Sequence, residues 1–241
     1  MIAGKLTPIF TSPLFIKESN KEVEIGGKSI KLRDFQYELL KAFLNRETHD
    51  MIILTAPTGA GKTLSLLIPL FANLERSWMY YGSVGIYPSR NLARDQMITI
   101  SNTLLKLGAT QADIKTFYKD LGGLSNSELE SVSEYVKAFK LRARAGTTIP
   151  VVLMYITSES LNKLRKIVSK HLEIISSNRA LLEYLWMRIA RNAFRVVFTI
   201  PEYPYLLATD VYQDFHRAGV WLYATLRELK GFLKILESSD I

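Results

Sequence analysis

Apolar and polar positions along this chain follow two periods, which predict two kinds of element. Over residues 34–45 the apolar positions are Phe35, Leu39, Leu40, Phe43 and Leu44, the three- and four-residue spacing of an amphipathic helix. Residues 92–107, 128–144, 160–175, 180–192 and 222–236 carry helical patterns too. Residues 51–55, 84–87, 151–156 and 196–200 are short apolar runs, read as buried strands, and Pro88 and Pro201 close two of them. The apolar run 64–74 predicts a helix that kinks or breaks at Pro69. Residues 1–32 read as short strands and turns, with a hairpin over 21–30 around Gly26-Gly27. Strands alternating with helices predict an α/β fold with a mostly parallel sheet and helices on both faces.

Composition narrows the chemistry. The 241 residues are 48% hydrophobic and 22% charged, ordinary for a globular chain, which excludes disordered and collagen-like classes. There is no cysteine, which excludes disulfides, thiolate metal sites and a cysteine nucleophile. His49, His171 and His216 are far apart in sequence, a poor basis for a metal site. No apolar run reaches membrane-spanning length and the start is unlike a signal peptide, so a cytoplasmic protein with no membrane partner is expected. The net charge of +8 is uneven: residues 103–195 hold 15 basic against 8 acidic groups, a net +7. Such a segment suits a polyanion, because neutralising phosphates releases counterions; a solvated basic surface accounts for the charge equally well.

The most specific pattern is Ala56-Pro57-Thr58-Gly59-Ala60-Gly61-Lys62-Thr63, a phosphate-binding loop with Ala at its first position. Gly59 and Gly61 permit the curvature that lets backbone N–H groups, Thr58's included, wrap a phosphate, and the following helix adds its positive end. Lys62 is placed to reach the β- and γ-phosphates, and the Thr63 hydroxyl to coordinate Mg²⁺. An apolar strand precedes the loop and a helix follows it, so ATP with Mg²⁺ is the expected cofactor. Upstream, Arg33-Asp34-Phe35-Gln36 lies 26 residues before Lys62. The Gln36 amide offers a donor and an acceptor, which suits an adenine edge; without the loop it would be a solvated helix residue.

With these two motifs the chain resembles a superfamily two helicase, a family that carries a glutamine motif upstream of Ala-x-x-Gly-x-Gly-Lys-Thr. Residues 87–96, Tyr-Pro-Ser-Arg-Asn-Leu-Ala-Arg-Asp-Gln, are similar to the family's motif Ia. Ser89 and Arg90 are then expected to donate to a nucleic-acid backbone, although Ser89 or Asn91 could equally cap a helix. Phe198-Thr199-Ile200-Pro201-Glu202 looks like the family's Thr-x-Pro-Glu segment, which makes Thr199 a phosphate contact by resemblance. Asp95 before Gln96, and the run 199–207, look most like the helicase subunit of type I CRISPR systems. The resemblance covers residues 32–107 and 194–208. It implies a RecA-like P-loop NTPase domain spanning 1–241, with N-terminal strands at 1–32 and a helical insertion at 108–193. Single-stranded DNA, a CRISPR surveillance complex and a nuclease subunit are the partners it implies.

One departure qualifies the activity. The family's Asp-Glu-x-His or Asp-Glu-x-Asp, which holds Mg²⁺ and polarises the attacking water, does not occur here. Asp214-Phe215-His216 echoes it without a preceding apolar strand and reads as a surface turn. A second RecA-like domain, the source of stabilising arginines, is missing too. No catalytic residue is therefore assigned, and the chain alone is expected to be inactive. The sequence stops where the motif II strand would be about to begin, so an N-terminal piece of a longer helicase is expected. The alternatives are a naturally truncated helicase that binds or regulates on a surveillance complex, and completion of the fold by a separate chain.

Other residues admit two readings. Tyr203, Tyr205, Tyr212, Trp221 and Tyr223 could stack on bases, but core packing is the commoner use of such residues. Tyr184 and Trp186 lie on an apolar helix pattern and are expected in the core. Lys137, Lys140 and Arg144, close to one face of the helix expected over 128–144, suit DNA, a partner or solvent.

Overall fold

Glu22 and Glu24 alternate with Val23 and Ile25 ahead of a Gly-Gly pair, and this stretch folds as one arm of a hairpin. The computed structural model describes residues 9–10, 18–25, 28–45, 54–55, 61–75, 82–142, 147–187 and 193–202. Thr58, Gly59, Arg144, His49, the turn at Gly26-Gly27, the aromatic residues from Tyr203 to Tyr223, Asp214-Phe215-His216 and the helix expected over 222–236 lie outside the described residues, as does the side chain of Trp186. The described residues fall into two compact units, one up to Glu75 and one from Gly82 to Glu202.

In the first unit, β2 (Glu18–Ile25) pairs antiparallel with β3 (Lys28–Arg33), Ile25 opposite Lys28. Helix α1 (Asp34–Asn45) follows directly and buries Phe35, Gln36, Leu39 and Leu40, one face of its cylinder. Strand β1 (Ile9–Phe10) runs parallel to β4 (Leu54–Thr55). A 3₁₀ helix over Lys62–Leu67 then passes into α2 (Ile68–Glu75), which packs on α1. The break expected near Pro69 is this change of helix type: proline fits the first turn of an α-helix, where its missing N–H leaves nothing unsatisfied.

The second unit is built on a five-stranded sheet of order β5-β9-β8-β7-β6. Its strands are β5 (Gly82–Ile86), β6 (Thr110–Ala112), β7 (Val136–Arg142), β8 (Thr148–Ile156) and β9 (Phe194–Thr199). All six residues of β9, and β8 from Val151 to Ile156, are buried. Neighbouring residues of a strand point to opposite faces, so these two strands are covered on both sides. Helix α3 (Arg90–Lys106) packs on β8 and β9. It ends at Gly108, whose φ of 86° lets Gly108 N–H reach the Leu105 carbonyl and Ala109 N–H the Leu104 carbonyl. Helices α4 (Asn126–Ser133), α5 (Ser158–Val168) and α6 (Asn178–Met187) complete the unit. Tyr184 is buried as expected, its ring 5.8 Å from that of Tyr118.

Two expectations are corrected. The sheet is mixed: β5, β9 and β8 run parallel, but β7 is antiparallel to β8 and to β6. The cause lies in residues 128–144, which do not form one helix. Helix α4 stops at Ser133, and Val136–Arg142 is a strand joined to β8 by a connection too short for a parallel crossover. The segment 108–193 thus contributes three strands besides its helices. Lys137 and Lys140, three residues apart on a strand, lie on opposite faces rather than on one helical face.

Candidate functional site

Gly61 enters the 3₁₀ helix with φ 84° and ψ 25°, a left-handed conformation that glycine adopts without penalty. Its carbonyl accepts from Leu64 N–H at 3.1 Å and from the Gln36 side-chain amide at 2.9 Å. The other end of that amide, Oε1, accepts from Arg33 N–H at 2.9 Å. Gln36 is 2% exposed, so both ends of its amide are spent inside the first unit, joining β3, α1 and the loop that precedes Lys62. The orientation of the amide follows from its partners: one is a donor and the other an acceptor. An added methyl at Gly61 would lie 2.9 Å from Gln36 Nε2. Lys62 and Thr63 come next, Lys62 exposed and Thr63 half-buried. An ammonium and a hydroxyl in the first helical turn, after a glycine held left-handed, form a donor set that fits a nucleotide's phosphates and their Mg²⁺.

The second unit gathers Ser89, Arg90 and Thr199 near the carboxyl ends of its parallel strands. Ser89 is the N-cap of α3, its Oγ accepting from Leu92 N–H at 3.2 Å. Arg90 opens the helix, and its carbonyl accepts from the Tyr155 hydroxyl at 3.3 Å. Its guanidinium lies 3.7 Å from Glu159. Thr199 ends β9 and is 3% exposed. Its hydroxyl donates to the Ile156 carbonyl at 2.7 Å, and its own carbonyl accepts from Tyr87 N–H at 2.9 Å. The ends of β5, β8 and β9 are thereby tied together. The Tyr87 ring stacks on Phe198, and burial pushes its phenol up to about 12.

Four charged residues around Arg90 carry no site signal in the sequence. Glu159 and Lys163 pair at 2.9 Å on α5, and Arg94 lies 3.6 Å from Glu134. Thr157 and Ser160 form a capping box at the start of α5, a local signature after an apolar strand that marks where Glu159 sits. Nothing in the sequence marks Glu134, which meets Arg94 through tertiary folding.

Residues 33–175, more than half of the chain, match the model of the DEAD/DEAH box helicase family. The chain belongs to that family. Comparison with curated proteins and with solved structures gave no match. Family membership makes the chain part of an ATP-dependent nucleic-acid helicase motor, a class that binds ATP with Mg²⁺ and acts on nucleic acid. Among the described residues no helix is long and apolar enough to cross a membrane, and no three His, Asp or Glu side chains cluster as metal ligands.

Proposed function

We propose that this chain is the ATP-binding, N-terminal motor domain of a DNA helicase of CRISPR-associated type. One observation carries the nucleotide reading: the Gln36 amide holds the Gly61 carbonyl at 2.9 Å, immediately before Lys62 and Thr63. Arg33, Gln36, Thr58, Gly59, Gly61, Lys62 and Thr63 form the nucleotide site in this reading. Gln36 shapes the loop, Lys62 neutralises phosphate oxygens, and Thr63 presents a hydroxyl to Mg²⁺. Bound ATP with Mg²⁺ supplies a phosphoanhydride whose cleavage drives the motor. Ser89 and Arg90, at the start of α3, contact the backbone of a single strand through N–H groups and guanidinium. Thr199 joins them by exchanging its bond to Ile156 for one to phosphate. The CRISPR-associated assignment, with a surveillance complex and a nuclease subunit as partners, is supported by Asp95 before Gln96 and by residues 199–207.

No Asp-Glu-x-His or Asp-Glu-x-Asp occurs in the sequence, so the proposal includes weak or absent ATP hydrolysis by this chain alone. The same fact favours a second reading, a binding or regulatory protein that keeps the docking surface of a helicase without its turnover. Equilibrium binding of a fluorescent ATP analogue, with Lys62→Ala as control, and ATPase assays with single-stranded DNA test both readings. Binding lost in Lys62→Ala, without DNA-stimulated turnover, is the result expected of the motor domain. No nucleotide binding would leave the regulatory reading. Robust DNA-stimulated hydrolysis would overturn the inactivity and place the acids among Glu202, Asp210 and Asp214.

A further inference from the structure

Arg90 and Arg94 stand about one turn apart at the start of α3, and a carboxylate from a different element meets each. Arg90 Nη1 lies 3.7 Å from Oε2 of Glu159, on the first turn of α5. Arg94 Nη2 lies 3.6 Å from Oε2 of Glu134, the C-cap of α4. Glu159 also holds Lys163 at 2.9 Å. These five side chains are 52–56% exposed, open to solvent and to a partner. Two nearly buried tyrosines tie the same elements together. Tyr135 and Tyr155 stack with ring centroids 6.5 Å apart, and Tyr155 donates to the Arg90 carbonyl.

The two arginine–glutamate distances decide how these pairs behave. A strong charge-assisted hydrogen bond closes to about 2.7–2.9 Å. Half-exposed pairs at 3.6 and 3.7 Å are loose ion pairs that a better anion displaces. Lys163, and after it Arg90 and Arg94, holds the Glu159 carboxyl below its ordinary range, so it stays charged at neutral pH.

We propose that Glu134 and Glu159 are built-in competitors for phosphate, occupying Arg94 and Arg90 until a polyanion replaces them. The inference rests on the nucleic-acid reading of Arg90 above. Binding at this surface is then an exchange of carboxylate for phosphate. An isolated anion must displace one carboxylate for one contact, whereas a strand displaces both in one event. The competitors thus set a threshold that favours chains of phosphates over single ones. The freed carboxylates also take back cations, which offsets part of the counterion release from the strand.

Fluorescence anisotropy of a labelled single-stranded oligothymidylate with the full chain, at about 50 and 200 mM salt, tests this. Glu134→Gln with Glu159→Gln should tighten binding about three- to tenfold at the lower salt, from the scale of exposed ion pairs. It should also steepen the fall of affinity with salt. Glu130→Gln with Glu173→Gln, at two exposed positions, changes net charge equally and should change affinity less than about twofold. The gain should vanish when Arg90→Ala and Arg94→Ala are added. No gain, a gain matched by the control pair, or a gain that survives loss of both arginines overturns the proposal. If the arginine variant alone leaves wild-type affinity unchanged, the nucleic-acid reading fails and the competition falls with it. If that variant weakens binding but the glutamine pair does not tighten it, the reading stands and the competition alone is wrong.

Discussion

Gln36 donates its side-chain N–H to the carbonyl of Gly61 at 2.9 Å, across 25 residues of chain. This bond joins the two sequence motifs most closely tied to nucleotide. It also gives Gln36 a hold on the loop before Lys62, through one of its two amide N–H groups.

Removing that amide should therefore cost stability as well as affinity. Gln36→Ala removes the side-chain acceptor that Gln36 offers to the Arg33 N–H and takes one of two donors from the Gly61 carbonyl. A loss of about 1–3 kcal/mol is expected, read from urea denaturation midpoints, together with weaker binding of the fluorescent nucleotide. Gln36→Glu should be worse than alanine, because a carboxylate then faces the Gly61 carbonyl. An unchanged midpoint for both variants would mean that the bond carries no weight.

Gly61→Ala combines two faults. Its φ of 84° costs a non-glycine residue about 1–2 kcal/mol, and its Cβ would lie 2.9 Å from Gln36 Nε2. Truncating Gln36 relieves the second fault and leaves the first. The double variant should thus be more stable than the sum of the single losses predicts, by about 0.5–3 kcal/mol in a double-mutant cycle. Strict additivity would show that the side chain moves aside without cost.

Thr199→Val keeps the shape at the end of β9 and removes the donor to the Ile156 carbonyl. A loss of about 1–3 kcal/mol follows from a buried acceptor left short of its partner, and Thr199→Ser should restore most of it. Thermal melts separate the two variants. If valine is as stable as threonine, the bond to Ile156 carries no weight at the end of β9.

Glu128 provides a pH test. Ser125, through its backbone N–H and hydroxyl, and then His171 hold its carboxyl down at about 2, against an ordinary 4.5. The lowered value means that the contribution to stability is fully present above about pH 4.5 and is lost as pH falls through 2. Melting temperatures of wild type and Glu128→Gln should therefore differ most above pH 5 and converge toward pH 2. A gap that is constant across this range would contradict the capping role.

Residues 128–144 show why apolar spacing by itself does not decide between helix and strand. Leu129, Val132, Val136 and Phe139 fall at spacings of three and four, so the pattern reads as one helix. The same Val136 and Phe139 are buried in β7, where the strand pairs along its whole length with β8. Short apolar stretches satisfy both periods, and partners far along the chain decide between them. Helix α1 had no such ambiguity: its apolar stripe runs three turns, and the element spans Asp34–Asn45 as its pattern predicts. Ser89 likewise carried its role locally, as the cap of α3. Arg90 stood out in its motif, whereas Glu134 and Glu159 entered the site only through the packing of α4 and α5 beside α3.

By itself the sequence determined what depends on neighbours a few residues apart. That includes the phosphate-loop pattern at residues 56–63, the cap at Ser89, the period of α1 and the apolar runs that became β8 and β9. Backbone preferences, capping and hydrophobic spacing act over one or two turns, so adjacent letters encode them. Tertiary structure alone decided which strands run antiparallel, that Gln36 spends its amide on Gly61 and Arg33, and that Thr199 is buried against Ile156. These outcomes join groups tens of residues apart, and strand pairing and the burial of polar groups are settled only when such groups meet.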